Sequence, residues 1–376
     1  MKALHIITGL GVGGAEQQLR LLLRHLPVRC DVVTLTNPGP VAEGLRADGI
    51  HVTHLGMGGN RDLGALPRLT GLIRAGSYDV VHTHLYRACV YGRFAARLAG
   101  VRAVVATEHS LGDTLIEGRL LTTGVRALYL VGERLGRATI AVSPTVAERL
   151  RRWGVPEGRI HMIPNGIDAP QLRYDAVRRK EARAVYGIPE DAYVVGGIGR
   201  LAVGKRFDVL VRALERLPGD VRLLLVGGGS EEEVLRCTAQ ELGVADRMVL
   251  TGERPYLPDP RDGTPDLACL LSAMDVLAAP SVEEAFGLAV LEALAAGLPV
   301  LYTTCPAVDD LPPEAAPGAR RVTGGTEAYA RELLRLRAAG PGVRAAPDAV
   351  RHYSIERTAG QLMDVYTAVL SGSTWK

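Results

Sequence analysis

Residues 3–26 read ALHIITGLGVGGAEQQLRLLLRHL: an apolar run, a glycine-rich turn and an amphipathic helical pattern in direct succession. The run at 3–8 has the near-continuous Ala, Leu and Ile content of a strand buried on both faces, which a parallel sheet requires. Gly9-Leu10-Gly11-Val12-Gly13-Gly14 satisfies G-x-G-x-x-G and opens a helix near Ala15. Such a turn presents backbone N–H groups and the positive end of a helix to a phosphate. Strand, turn and helix together predict a doubly wound α/β sheet.

Outward from this stretch, apolar runs at 31–36, 79–84, 102–107 and 139–142 alternate with helical patterns at 15–26, 64–75 and 91–98. The alternation restarts with runs at 193–198, 221–226, 247–250, 275–279 and 298–302. A chain of 376 residues exceeds one ordinary domain. Two Rossmann-like domains are therefore expected, at 1–168 and 169–353. Helical periodicity at 355–370 places a C-terminal helix in 354–376, free to pack back on the first domain. The boundary follows the turn residues Pro164-Asn165-Gly166-Ile167-Asp168, and the arginine-rich stretch 173–183 reads as a linker.

Composition narrows the function. With 47% hydrophobic and 23% charged residues, the chain is not disordered, collagen-like or a coiled coil. A balance of 44 basic against 41 acidic residues leaves a formal +3, too small to make nucleic acid the expected partner. The five cysteines are scattered with no C-x-x-C pair, which argues against a disulfide framework or zinc knuckle and predicts the cytoplasm. No run approaches the roughly 18 apolar residues of a membrane span. Lys2, Lys180, Lys205 and Lys376 are the only lysines, and the preference for arginine fits a GC-rich, actinobacterial-type genome.

Three glycine-bearing turns could carry chemistry. The first, at Gly9 to Gly14, lacks the acidic residue that a dinucleotide site needs after the second strand, which ends Leu35-Thr36-Asn37. A phosphate cradle, the preferred reading, glycines kept for close packing and a dinucleotide site all remain open. The second, Gly199-Arg200-Leu201-Ala202-Val203-Gly204-Lys205, follows a strand end and offers two cations to a diphosphate, or is a solvated basic loop. The third is Ser281-Val282-Glu283-Glu284-Ala285-Phe286-Gly287-Leu288. It places Glu284 at a strand-to-helix turn, the amides of Phe286, Gly287 and Leu288 at the helix start, and Glu292 inside an apolar helix. A glutamate there is costly unless it finds a hydrogen-bond partner, which a ligand hydroxyl supplies.

His82-Thr83-His84 puts two rings on one strand face, as metal ligands stand. No Asp or Cys lies at ligand spacing, so no metal is expected; the rings are structural or meet substrate. Arg149, Arg151, Arg152 and Trp153 form a basic, aromatic-tipped patch that fits either a solvated helix end, the preferred reading, or peripheral contact with anionic lipid.

Taken in order, Gly13-Gly14-Ala15-Glu16, Thr107-Glu108-His109, Ser143, Pro164 to Asp168, Gly199-Arg200 with Lys205, and the E-x7-E pair Glu284 and Glu292 resemble glycosyltransferase family 4 over about residues 1–370. The resemblance implies a GT-B fold, with two Rossmann-like doubly wound domains facing a cleft. The N-terminal domain would hold an acceptor and the C-terminal domain a nucleotide-diphosphate sugar, UDP-linked in view of the family.

It also implies retention at the anomeric carbon, no metal and no cofactor. Arg200 and Lys205 would bind the diphosphate, with the Gly13 and Gly14 turn contributing to donor binding. Glu284 would hold sugar hydroxyls, Glu292 the ribose, Arg254 the base region, and His109 the sugar near the reacting face. His82, His84 and Glu108 are acceptor-side candidates, the acceptor being a hydroxyl of a small molecule, glycan or lipid. Two departures stand out: Thr303-Thr304-Cys305-Pro306-Ala307-Val308-Asp309 replaces the family's Gly-Gly turn and glutamate, and the loop at 255–265 is longer than usual. Rival readings are a sugar-nucleotide 2-epimerase of the same fold and a non-catalytic nucleotide-sugar-binding protein. Glu283 and Glu284 are adjacent and so cannot flank a glycosidic bond as a hydrolase pair does.

Overall fold

Strand β1 (Lys2–Ile7) is buried from its second residue onward and lies at the centre of its sheet, as a strand without a polar face must. The computed structural model describes residues 1–59, 62–110, 115–116, 119–256 and 263–372. The chain forms two compact units, one made of Met1–Gly166 with Ile355–Lys376 and the other of Ile167–Ser354.

In the first unit, β1, β2 (Arg29–Thr34), β3 (His51–His54), β4 (Val80–His84) and β5 (Ala103–Glu108) alternate with helices α1 (Gly14–His25), α2 (Gly39–Ala47), α3 (Ala65–Gly76) and α4 (Tyr86–Ala99). A two-stranded antiparallel hairpin follows, β6 (Leu115–Ile116) with β7 (Arg119–Leu120). Then come α5 (Thr123–Glu133), β8 (Ala138–Ala141), α6 (Pro144–Trp153) and β9 (Ile160–Met162). The seven-stranded parallel sheet has the order β3-β2-β1-β4-β5-β8-β9. Leu4, Ile6, Val33, Leu69, Ile73, Val81 and Val104 pack between sheet and helices. Each such side chain contributes roughly 1.5–3 kcal/mol by leaving water. The C-terminal helix Ile355–Ser371 belongs to this unit and packs on α1.

The second unit begins with α7 (Ala176–Val185). It continues with β10 (Tyr193–Ile198), α8 (Asp208–Leu214), β11 (Val221–Val226), α9 (Glu232–Glu241), β12 (Met248–Leu250), α10 (Leu267–Ala273) and β13 (Val276–Ala279). After these come α11 (Leu288–Ala295), β14 (Val300–Tyr302), α12 (Pro306–Asp309), β15 (Ala319–Arg321), α13 (Thr326–Ala339) and α14 (Asp348–His352). Its six parallel strands run β12-β11-β10-β13-β14-β15.

The arginine-rich stretch read as a linker folds instead as part of α7, whose first turn is capped by the Asp175 carboxylate accepting from the amides of Val177 and Arg178. Arg179 and Arg183 donate to opposite oxygens of Asp275 at 2.8 and 2.9 Å. Inside the unit the buried Arg183 guanidinium is satisfied by Asp275, 92 residues further on, together with the carbonyls of Ala273, Pro189, Glu190 and Ala192.

In each sheet the order reverses beside the first strand, between β1 and β4 and between β10 and β13. Open α/β sheets receive ligands beyond the strand ends at such a point. The turns singled out in the sequence leave the sheets there.

Candidate functional site

In the first unit none of Gly9, Gly11, Gly13 and Gly14 has positive φ, and of Gly9, Gly11 and Gly13 only Gly13 has a close neighbour where a Cβ would stand. A Cβ on Gly13, the residue capping α1, would come within 2.3 Å of Glu16 Oε2. Gly39, at φ +51°, closes the loop from behind, where a Cβ would overlap the carbonyl of Leu10.

Five residues beside β1 and β4 form a continuous buried chain with a sixth from the C-terminal helix. Thr107 Oγ1 lies 2.7 Å from His82 Nε2, and His82 Nδ1 lies 2.7 Å from the Tyr366 hydroxyl. That hydroxyl is 3.4 Å from His5 Nε2, His5 Nδ1 is 3.0 Å from His84 Nε2, and His84 Nδ1 is 3.1 Å from His109 Nε2. Burial pushes His5 down to about 3 and His109 down to about 4. His82 and His84 fall well below the usual histidine range, by burial first and by neighbouring rings second. All four rings are therefore neutral near pH 7. Nδ1 of His109 is buried without a partner, in a recess that His84, Thr107, Gln18 and Asn165 also line.

Strand β4 is followed at this point by Leu85, the residue before α4, at φ 71° and ψ 155°, a conformation costing on the order of 1–3 kcal/mol for a residue with a Cβ.

His5, His82 and His84 each bring one ring nitrogen within 4.8 Å of the others. Those rings are already hydrogen-bonded, and no carboxylate joins the group among the described residues to offset a dication's charge in a buried site. Glu108 faces the other way and accepts from the Tyr129 hydroxyl at 2.7 Å. His82 and Glu108, acceptor-side candidates in the sequence, therefore turn their polar groups to protein rather than to the recess. The expected aromatic tip at Trp153 is absent from the surface: the indole is 5% exposed, edge-on to Tyr129, and Arg151 pairs with Glu148 and Glu157.

In the second unit, Lys205 Nζ meets Glu284 Oε1 at 2.5 Å, joining two of the three turns across 79 residues. Arg200 is exposed, and among the described residues its side chain makes no ion pair or hydrogen bond. Gly287, at φ 102°, caps α11, and a Cβ there would lie 2.4 Å from Cys305 Sγ. The departure at 303–309 thus has a packing role: Cys305 fills the space beside Gly287, and the amide of Ala307 donates to the Phe286 carbonyl at 2.9 Å. The amides of Phe286, Gly287 and Leu288 donate to no group among the described residues, as expected at a helix start.

Glu292 is buried in α11, and its carboxyl makes no hydrogen bond or ion pair among the described residues. Burial raises its carboxyl from 4.5 to about 7, with Lys205 partly opposing the rise. Arg254 is half-buried, donates to the Thr251 carbonyl and lies 5.9 Å from the Tyr186 ring centroid. The loop at 255–265 lies outside the described residues at 257–262.

Sequence reasoning passed over three features. Gly227, Gly228 and Gly229 follow β11, and a Cβ on the first or third would overlap the carbonyl of Gly199 or Leu201. They let β11 support the Arg200 turn, and the unbroken glycine triplet was their signal. His5 stood out as a polar residue within an apolar strand, whereas nothing local marks Tyr366.

The description Glycosyltransferase Family 4 matches residues 12–170, and Glycosyl transferases group 1 matches residues 192–338. The D-inositol 3-phosphate glycosyltransferase of Actinosynnema mirum is 32% identical over 367 residues, 87% of this chain and 84% of that protein. The protein of that name from Mycobacteroides abscessus is 33% identical over 319 residues, covering 79% and 68%. For the one from Xylanimonas cellulosilytica, the match at 33% identity spans 61% of this chain and 58% of the relative. Among solved structures, HepE from Anabaena in complex with UDP and glucose aligns with a TM-score of 0.83 at 22% identity, covering 98% of this chain and all of that one. Sucrose-phosphate synthase from Thermosynechococcus elongatus aligns with a TM-score of 0.76, also at 22% identity, over 99% and 100%.

Proposed function

The chain belongs to the glycosyltransferases, with family 4 and group 1 halves on a GT-B fold, and from that premise we propose that it moves a sugar from a UDP-linked donor to a hydroxyl acceptor with retention and without metal or cofactor. The observation that carries this reading is the pairing of fixed cations with an unsatisfied carboxyl in one unit. Among the described residues the Arg200 guanidinium has no partner, Lys205 follows five residues later and pairs with Glu284, and the buried Glu292 carboxyl makes no hydrogen bond.

Departure of a nucleoside diphosphate leaves negative charge. Arg200, Lys205 and the free amides of Phe286, Gly287 and Leu288 supply the opposing field, the role a divalent cation plays elsewhere. Glu292 accepts from the ribose hydroxyls and thereby recovers part of its desolvation cost. Glu284 orders Lys205 and accepts from sugar hydroxyls, and Arg254 lies toward the base.

The first unit is assigned the acceptor. His109 contacts the sugar near the reacting carbon, Gly13 and Gly14 admit a phosphate-bearing group closely, and His84, His82 and Glu108 support this side from inside the fold. The relatives' name makes D-inositol 3-phosphate the first acceptor to try.

Arg200→Ala and Lys205→Ala test the reading. Each is expected to lower turnover about 100-fold, the usual loss for one donor to developing negative charge. Arg200→Lys is expected to recover only part, because a single ammonium cannot replace a two-pronged guanidinium. Near wild-type rates in both alanine variants would remove the diphosphate from this turn.

A further inference from the structure

The chain Thr107, His82, Tyr366, His5, His84, His109 has a direction. A neutral imidazole carries one N–H and one lone pair, so each ring donates on one side and accepts on the other. Every ring nitrogen within the chain faces one definite partner, and fixing one proton therefore fixes the rest. Only two arrangements also pair the Tyr366 hydroxyl proton. In one, protons point toward His109 and all four rings are Nδ1–H tautomers. In the other they point toward Thr107 and all four are Nε2–H tautomers.

The Thr107 end decides between them. Its hydroxyl is buried, and His82 Nε2 is its only hydrogen-bond partner among the described residues. If the hydroxyl accepted from His82, its own proton would have no acceptor in a buried site, which is costly. If it donates, the one donor left over is instead His109 Nδ1–H, on a half-buried ring that lines the recess, where a ligand can accept from it. The Tyr366 hydroxyl then accepts from His82 and donates to His5, and the one unpaired group is passed to the far end, at His109 Nδ1.

We propose that Thr107, acting through His82, Tyr366, His5 and His84, holds His109 as its Nδ1–H tautomer and so presents a hydrogen-bond donor to an oxygen of the substrate, a sugar hydroxyl or a phosphate. The five are positioning residues: none offers a free polar group, and together they determine what His109 offers. This rests on the proposed function for its substrate, but not for its protonation pattern.

The test is a long-range 15N–1H correlation spectrum of the uniformly labelled full chain near pH 7.5, without substrate, which distinguishes the two tautomers ring by ring. The expected result is Nδ1–H for His5, His82, His84 and His109. Nε2–H at His109 or His84 would overturn the inference, as would zinc retained through dialysis with these ring signals shifted, because metal would need the lone pairs assigned here to hydrogen bonds.

Thr107→Val removes the hydroxyl at nearly constant shape. It is expected to leave His109 a mixture of tautomers and to lower kcat by roughly 3- to 10-fold with little change in donor KM, the range for one neutral hydrogen bond. Thr107→Ser should restore both the spectrum and the rate, which a purely structural role of the methyl group would not allow. A valine variant whose His109 stays wholly Nδ1–H would show that Thr107 does not set the direction. If the spectra match but His109→Gln turns over at the wild-type rate, the placement of substrate at His109 fails while the protonation pattern stands.

Discussion

Replacing Glu292 by glutamine should make the protein more stable and a weaker nucleotide binder at once. Burial raises this carboxyl from 4.5 to about 7. A difference of roughly 2.5 in pKa corresponds to about 3 kcal/mol. Between those two values the folded chain keeps a proton that the unfolded chain releases, so the group's contribution to stability falls as pH rises through that window, and its full cost is present above pH 7.

Glutamine cannot ionise. The variant should therefore match wild type below about pH 4.5, apart from the small difference between a neutral acid and an amide, and exceed it by up to about 3 kcal/mol at pH 8. For a unit of this size that is roughly 6–12 °C in melting temperature. Calorimetric melts at pH 4.5 and pH 8 read the difference directly. Titration with UDP should show the opposite effect, a loss of about 10- to 150-fold as one charged acceptor disappears. Wild-type affinity should also rise with pH through about 7, because ribose hydroxyls favour the carboxylate form. A variant less stable than wild type at pH 8, or a gap that does not change with pH, would mean that Glu292 is satisfied within the protein and is not waiting for a ligand.

Three further outcomes follow from particular contacts. Glu284→Ala should leave UDP binding nearly intact while lowering turnover and blurring discrimination between donor sugars, checked by calorimetry and by competing UDP-glucose with UDP-N-acetylglucosamine; loss of UDP binding would show that its main role is to hold Lys205. The first unit should lose stability as pH falls below about 6.5, since its buried histidines stay neutral in the fold and gain protons on unfolding, and hydrogen exchange in β4 at pH 5 against pH 7.5 reports this. Gly287→Ala should lower the melting temperature of the second unit through its positive φ and the overlap with Cys305 Sγ, and Gly287→Ala combined with Cys305→Ala should recover only the part due to the sulfur.

The central strands were readable because burial on both faces leaves uninterrupted apolar runs. Those at 3–8, 193–198 and 221–226 correspond to β1, β10 and β11 within a residue or two. Strands β3, β9 and β15 escaped because HVTH, IHM and ARR carry too few apolar side chains to stand out; β3 and β15 lie at sheet edges, and β9 closes the other end of the first sheet. The glycine-bearing turns were visible because chain reversal and close approach restrict residue choice. What they meet was not: the pairing of Lys205 with Glu284 spans 79 residues, and that of His82 with Tyr366 spans 284. Likewise, the arginine-rich stretch looks like a linker in one dimension, yet Asp275 pairs with Arg179 and with the buried Arg183.

The most direct measurement of the central claim follows the anomeric proton by NMR while the purified chain, treated with excess EDTA, is given UDP-glucose and a hydroxyl acceptor such as D-inositol 3-phosphate. The account predicts a glycoside whose anomeric configuration is that of the donor, formed at a rate that added magnesium or manganese does not change. A product of inverted configuration, or transfer that appears only when a divalent cation is restored, would contradict it.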